Sequence, residues 1–562
     1  MKLSLHSSML LFALGYYPSI SEGVDGNSRL RKLPAKTTSI ECDVQLAVGQ
    51  IEEDGPPQEI LHCGFDQPDD LGYMLYEVKG LVEEEFERIK KTVTTTGATR
   101  YEFPSATRSK GKPASQSNLF GGNAPATTQS IIVPKPSKGK PQAIEKGHGQ
   151  DKDKTNNGQG HRSLYNLQGV SKVLAVRVVA LDAETTHSAN DCRAHTFGGY
   201  DDQGVLDDMN MKSQIDACSY GKLKFVEPED DPAYPDVVGG VVTITLNQTV
   251  TDVSHGTVLG WARETTPLYA GPLDQYDHVM YFMPPGVDFG GAAAFGYMPG
   301  RETWYLNSYS LATGIQLHEL GHNLGLGHGG EDGGGYGDSS CYMGYGGGDV
   351  RMCYNAAKSW YLGWYSEFHQ EFNPLEESSK LVKLVGLSDY NEASAASDPS
   401  AYTIVLRIET FDQESIYLTY NRQKGVNIDT KEFQDKVTVV RADGRKQSWA
   451  EAGLERGQRY SRSIVDGSGR ALEIAVCERV SGRPDYAVIS VHPFGSTPLC
   501  TPPSPIPSWE TYAGDLNDGL IAHYTFDGDY LDTSGNRFHA LSLAIQHLLR
   551  TVLLDKRSLL TE

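Results

Sequence analysis

The stretch "IQLHELGHNLGLGHGG", Ile315 to Gly330, sets three of the chain's sixteen histidines and one glutamate into the pattern H-E-x-x-H-x-x-G-x-x-H. An α-helix turns by about 100° per residue. His318 and His322 therefore fall one turn apart on one face, where two imidazoles can reach a single metal ion. Glu319 stands beside the first ligand, placed to touch a metal-activated water rather than the metal itself. Leu317, Leu320 and Leu324 can face the core and hold the helix in place. Two ligands from one helix leave half of a tetrahedral site empty. Gly325 supplies the way out, because glycine accepts the left-handed conformation that ends a helix. His328, three residues on, then brings a third nitrogen. Three protein ligands with an open fourth position are the arrangement of a catalytic zinc site, whereas four would close it.

At 562 residues the chain is too long for one core, and two or more domains are expected. Its net charge of −22 excludes a nucleic-acid partner, since a phosphate backbone would be repelled. "MKLSLHSSMLLFALGYYPSISEG" has a positive start, a short apolar run and a small-residue cleavage site, so residues 1–21 read as a signal peptide. No later stretch approaches the roughly 20 apolar residues that a membrane span requires. A secreted, extracellular product is expected. The eight cysteines agree, and their spacing suggests one disulfide per region: Cys42 with Cys63, Cys192 with Cys218, Cys341 with Cys353, and Cys477 with Cys500. Asn247-Gln248-Thr249 is a candidate glycosylation sequon.

Composition divides the chain. Residues 22–103 contain strand-like "ECDVQLAVGQI" and "GYMLYEVKG" and read as a propeptide; 104–162, rich in Lys, Pro, Ser and Gly, read as a disordered basic linker. Over 163–372, "KVLAVRVVALDAE", "KLKFV", "VVGGVVTITL" and "DHVMYFMPPG" read as strands. A helix is expected over Val205–Ala217 and a short closing one in "CYNAAKSWYLGWY". The fold class is thus α+β, a mixed twisted sheet with helices. A β-rich, sandwich-like domain follows over 376–496, then a Pro-rich linker over 497–517. Residues 518–562 look like a truncated laminin-G or concanavalin-like module followed by a tail.

Met343, in the turn "CYMGYGGGD" fifteen residues after His328, resembles the methionine turn of the metzincin metalloproteases. Within that clan the chain resembles the gametolysin family, the cell-wall-lysing proteases of green algae. "QLHELGHNLGLGH", "CYMGYG", "CYNAAKSWYLGWY" and "MKSQIDACSYGKL" carry the likeness, which extends over about Lys172 to Pro493. The resemblance implies a metzincin-type catalytic domain with Met343 as an apolar floor beneath the histidines. It implies that Tyr345 stabilises the tetrahedral intermediate, and that an edge strand in "GGAAAFGYMPGRETWYLN" pairs with extended substrate. It also offers Cys63, in a Cys-Gly pair, as an inhibitory thiolate for the zinc; the competing use is a disulfide with Cys42. The insert "GGEDGGGYGDSS" has no assignment, and a Ca²⁺ loop there lacks support.

The function expected is a secreted zinc endopeptidase acting on extracellular-matrix or cell-wall protein, with Glu319 as general base. The alternatives are a non-catalytic adhesion or glycan-binding protein that retains the fold, and a zinc hydrolase acting on another bond. An intact Glu319 argues against a pure binder.

Overall fold

The computed structural model of the chain describes residues 39–51, 58–64, 75–96, 99–104, 106–109, 130–133, 142–143 and 167–500, apart from 345–347, 413, 445–446 and 466–467. The expected signal peptide, most of the expected linker, the Pro-rich spacer beyond Cys500 and the laminin-G-like tail lie outside the described residues.

The N-terminal part contributes β1 (Ser39–Ile51), β2 (Gln58–Gly64), β3 (Leu75–Lys79), α1 (Glu83–Thr96) and β4 (Thr99–Pro104). Three short strands follow, β5 (Thr107–Ser109), β6 (Ser130–Ile132) and β7 (Gln142–Ala143). These last three lie in the stretch expected to be a linker from residue 104. Instead β6 pairs with β3 and β5, and β7 with β4. Ladder bonds to strands already in place order segments that have little apolar surface of their own.

The central part runs β8 (Gly169–Val179), α2 (Ala189–Phe197), β9 (Gly199–Tyr200), β10 (Leu206–Asp207), α3 (Met211–Ser219), β11 (Leu223–Val226), β12 (Val241–Thr245), α4 (His255–Thr265), α5 (Pro267–Ala270), β13 (His278–Phe282), β14 (Ala292–Tyr297), β15 (Glu302–Tyr305) and α6 (Thr313–Asn323). β8 lies at the centre, parallel to β11, β12 and β13, and β13 is parallel to β15. Its apolar run follows from that position. Val173 and Ala175 enter the core beneath α2, α3 and α6, while Leu174, Val176 and Val178 enter the core on the α4 side. A parallel strand covered on both faces needs apolar residues at every step. β14 turns back antiparallel to β15.

The expected helix over Val205–Ala217 begins later. Asn210 caps α3, its side chain accepting from the Ser213 amide while Ser213 caps in return. Leu206 and Asp207 instead pair with β9, and Val205 and Leu206 are exposed. A capping box outweighs a helical apolar spacing that has nothing to pack against.

The remaining elements are β16 (Gly329–Glu331), α7 (Ala356–Leu362), β17 (His369–Phe372), β18 (Lys380–Val385), α8 (Tyr390–Ser394), β19 (Val405–Ile408), β20 (Ser415–Asn421), β21 (Lys436–Ala442), β22 (Ser448–Leu454), β23 (Arg459–Ser463), β24 (Ala471–Val480) and β25 (Tyr486–Pro493). A six-stranded sheet, β16-β22-β21-β20-β19-β17, packs on a four-stranded one, β18-β25-β24-β23. Ile416, Leu418 and Tyr420 of β20 share a core with Ile474, Ile489 and Val491, whereas Tyr417 joins the core that includes α6. The six-stranded sheet is therefore covered on both faces, and its edge strand β16 begins one residue after His328. A cut at 372–376 does not separate the two layers.

Disulfides join Cys42 to Cys63, Cys477 to Cys500 and Cys218 to Cys353; Cys192 and Cys341 are free and buried. The expected Cys192–Cys218 and Cys341–Cys353 couples are thus replaced by one bond that crosses the domain. The end of α3 lies against residues 352–353, where the Gln214 side chain donates to the Met352 carbonyl at 2.8 Å. The Cys341 sulfur faces its own turn and accepts from the Met343 and Asn355 amides. Closing 135 residues constrains the unfolded chain strongly. A non-reducing peptide map should show Cys218 linked to Cys353, with Cys192 and Cys341 alkylated only after unfolding. Cys218→Ser should lose about 2–5 kcal/mol of stability by denaturant titration; a map linking Cys192 to Cys218 would contradict the pairing.

Candidate metal centre

Helix α6 is buried along its whole length. Leu317, Leu320 and Leu324 anchor it in the core, and Asp349 accepts from the Thr313 amide at its positive end. Gly325, at φ +83°, turns the chain out of the helix, and its amide closes on the His322 carbonyl. His318, His322 and His328 converge, with ligand atoms all within 4.8 Å of one another. The Nδ1 of His318 bonds the Tyr342 carbonyl at 2.7 Å, and that of His322 bonds the Leu326 carbonyl at 2.8 Å. Carbonyls only accept, so both rings carry their proton on Nδ1 and leave Nε2 as a lone pair. The Nε2 atoms of all three rings are buried without a hydrogen-bond partner.

Burial pushes the His318 pKa down to about 4 and those of His322 and His328 well below the usual value. Three imidazoles thus bring unpaired ring nitrogens together, an arrangement costly for a buried site unless a cation completes it. The donor set fits zinc. Both Glu319 carboxylate oxygens are also buried without a partner, and burial pushes the pKa well up. Such a carboxylate takes a proton more readily than a surface one, which suits a general base.

Met343 lies directly under the helix. A Cβ added at Gly321 would meet the Met343 sulfur at 2.3 Å, so only glycine lets the two approach. The turn is tied back to the ligands, since the Gly329 amide donates to the Met343 carbonyl. Tyr345 lies outside the described residues. Asn247 is exposed just after β12. In the Gly-rich insert, Asp338 is buried and its oxygens are taken by Ser340 and Asn355. Among the described residues, the histidine triad is the group placed to hold a metal.

Sequence reasoning passed over Tyr336, in that same insert. Its ring stands 4.2 Å from His328 and 5.9 Å from His318, centre to centre. It passed over Lys358 too, whose fully buried amine is pushed down to about 7 by burial. The Gly-rich run around Tyr336 has no apolar period to read, and Lys358 is a polar residue within the short helix α7, where its burial depends on packing from outside that helix.

The expected substrate edge is β14, and it packs on α6. A Cβ added at Gly296 would lie 2.6 Å from the Glu319 carbonyl oxygen and 3.2 Å from His322, so the strand passes directly over the site. That edge is not open. β1 pairs with it antiparallel, Ala47 opposite Tyr297, Val48 opposite Gly296, Gly49 opposite Phe295 and Gln50 opposite Ala294. Beside β1, a cleft of about 770 Å³ reaches His328, lined also by Val48, Lys90, Met298, Gly335 and Trp449. Cys63 is bonded to Cys42, which removes it as a free thiolate for the metal.

Residues 181–441 match the family described as gametolysin peptidase M11. This span belongs to the gametolysin family. No curated protein and no solved structure matches the chain. The gametolysin-family span takes in α6, all three histidines and Met343, and ends within β21. It therefore includes strands of the six-stranded sheet, in keeping with that sheet's packing against the metal site.

Against the gametolysin-family span the N-terminal layer docks through a buried aromatic cluster. His62 of β2 bonds the Tyr297 hydroxyl at 3.0 Å, stacks near Trp304 and faces His255, which itself stacks on Phe295 at 4.1 Å. The charged groups nearby are Arg263 and its partner Glu302, 3.1 Å apart. Burial, reinforced by Arg263, pushes the His62 pKa down to about 3. A released His62 would take up a proton near pH 6.5. The released form thus binds the extra proton, and docking weakens as pH falls from about 6.5 toward about 3. Hydrogen exchange of β1 and β2 amides, corrected for intrinsic rates, should be faster at pH 5 than at pH 7, and His62→Phe should flatten the difference. Equal protection at both pH values would contradict this.

Proposed function

We propose that the chain is a secreted, zinc-dependent endopeptidase of metzincin type, which cleaves extended segments of extracellular-matrix or cell-wall protein. The observation that carries this reading is the convergence of three histidines whose Nε2 atoms are buried and unpaired. The gametolysin-family match supports peptide-bond hydrolysis. Three disulfides among the described residues suit an extracellular setting, and no helix among these residues is long and apolar enough to cross a membrane.

His318, His322 and His328 would hold the metal, with Tyr342 and Leu326 fixing two of the rings through their carbonyls. Zinc held this way polarises a carbonyl and lowers the pKa of water toward neutrality. Glu319 takes the proton from the attacking water and passes it to the leaving amine. Met343 keeps α6 from sinking, and Tyr345 is assigned to the oxyanion. The main-chain groups of β14 bind the substrate as an added strand, which fixes the backbone and leaves side chains to nearby pockets.

Residues 22–103 act as a propeptide in this reading. β1 fills the place of that added strand, so substrate binds only after β1 leaves. Cleavage within 104–162 starts the release, and acid would assist it through His62.

The test uses secreted protein matured by limited proteolysis. It should degrade a denatured protein, and a zinc chelator should abolish the cleavage. Glu319→Ala should keep its metal and lose about 10²–10⁴ in kcat/KM, because the residue is base rather than ligand. Chelator-insensitive cleavage, or a fully active Glu319→Ala, would reject the proposal.

A further inference from the structure

The Gly-rich insert holds a phenol at the site. Tyr336 is 2% exposed, its ring lies against His328, and its hydroxyl donates to the Gly49 carbonyl of β1 at 2.5 Å. Those partners are 287 residues apart in sequence. The acceptor is a main-chain carbonyl on the strand that lies along β14, one position beyond the pair Val48–Gly296 that passes over Glu319 and His322.

We propose that Tyr336 is a substrate-binding residue, whose hydroxyl donates to a backbone carbonyl of the peptide that takes the place of β1. This rests on the peptidase reading and adds to it a group that sets the register of the bound chain. An extended peptide that pairs with β14 in the direction of β1 repeats the main-chain spacing of β1, because strand pairing fixes that spacing. It therefore offers a carbonyl where Gly49 now does. Such a contact is blind to side chains, which suits cleavage within many sequences. The hydroxyl also stays in place when β1 leaves. β16 is paired with β22 through Gly329–Ser448, Gly330–Trp449 and Glu331–Ala450. Glu331 and Gly334 exchange backbone bonds, and the Asp338 amide returns to the Gly329 carbonyl. A loop tied at both ends in this way presents a preformed donor.

A phenol that merely fastened the N-terminal layer would cease to matter once that layer was gone. The test therefore uses full-length protein, matured by limited proteolysis and loaded with zinc. The probe is a synthetic peptide of residues 43–51, DVQLAVGQI, alongside the same peptide with a thioamide in place of the Gly49 carbonyl, since sulfur is a poor acceptor. Loss of one hydrogen bond predicts about a 5–10-fold weaker Kd for Tyr336→Phe, and the same loss for wild type with the thioamide peptide. Tyr336→Phe should not distinguish the two peptides. Its KM for an extended peptide substrate should rise by a similar factor, with metal content unchanged.

Equal Kd values for wild type and Tyr336→Phe would overturn the proposal, as would a thioamide penalty that survives in the variant, or no peptide binding at all. If Tyr336→Phe fails to fold, the wild-type comparison of the two peptides decides alone, and no thioamide penalty overturns it. Wild type that discriminates the peptides but hydrolyses nothing would sink the peptidase reading and leave the carbonyl site standing.

Discussion

Three imidazoles buried with their Nε2 atoms unpaired set the terms for everything around them. Two of the rings are fixed in that state by carbonyls on their opposite nitrogens. Those carbonyls, from Tyr342 and Leu326, belong to the turn that carries Met343 and to the turn that follows Gly325. The constraint thus reaches beyond α6. The helix must end at Gly325 for His328 to return, and Gly321 must stay bare for Met343 to close in from below.

The same economy governs the two sheets that meet here. β14 closes one side of the central sheet and covers α6, so its outer backbone groups, if left bare, would lie beside the histidines. An open edge is a hazard in any β protein, and this one is covered by β1. The C-terminal strands brace the other side. The Ser448 amide bonds the His328 carbonyl, and β16 continues into the loop that carries Tyr336. The six-stranded sheet is therefore part of the site's support, which explains why a boundary drawn from composition misses it.

What the sequence made legible was local. The spacing of His318, His322 and Leu317, Leu320, Leu324 is a helical period, and Gly325 is a turn that only glycine makes easily; both follow from a few neighbouring residues. Cys42 and Cys63 sit on adjacent strands of one hairpin, so their pairing was also within reach. Cys218 and Cys353 were not, because their approach depends on α3 packing beside the segment before α7. The pairing of β1 with β14 joins residues some 250 apart, and no period in either strand announces its partner. Tyr336 stood in a Gly-rich run with no pattern at all. The start of α3 failed for another reason: Asn210 and Ser213 form a box that overrode the apolar spacing before it.

The central claim is that these three rings exist to hold one metal ion. Elemental analysis of the folded, full-length protein tests it most directly, alongside His322→Ala prepared in the same way. The account predicts one zinc per chain in the natural sequence and none stably retained after the substitution. Folded protein with no metal, or a variant that keeps its zinc, would contradict it.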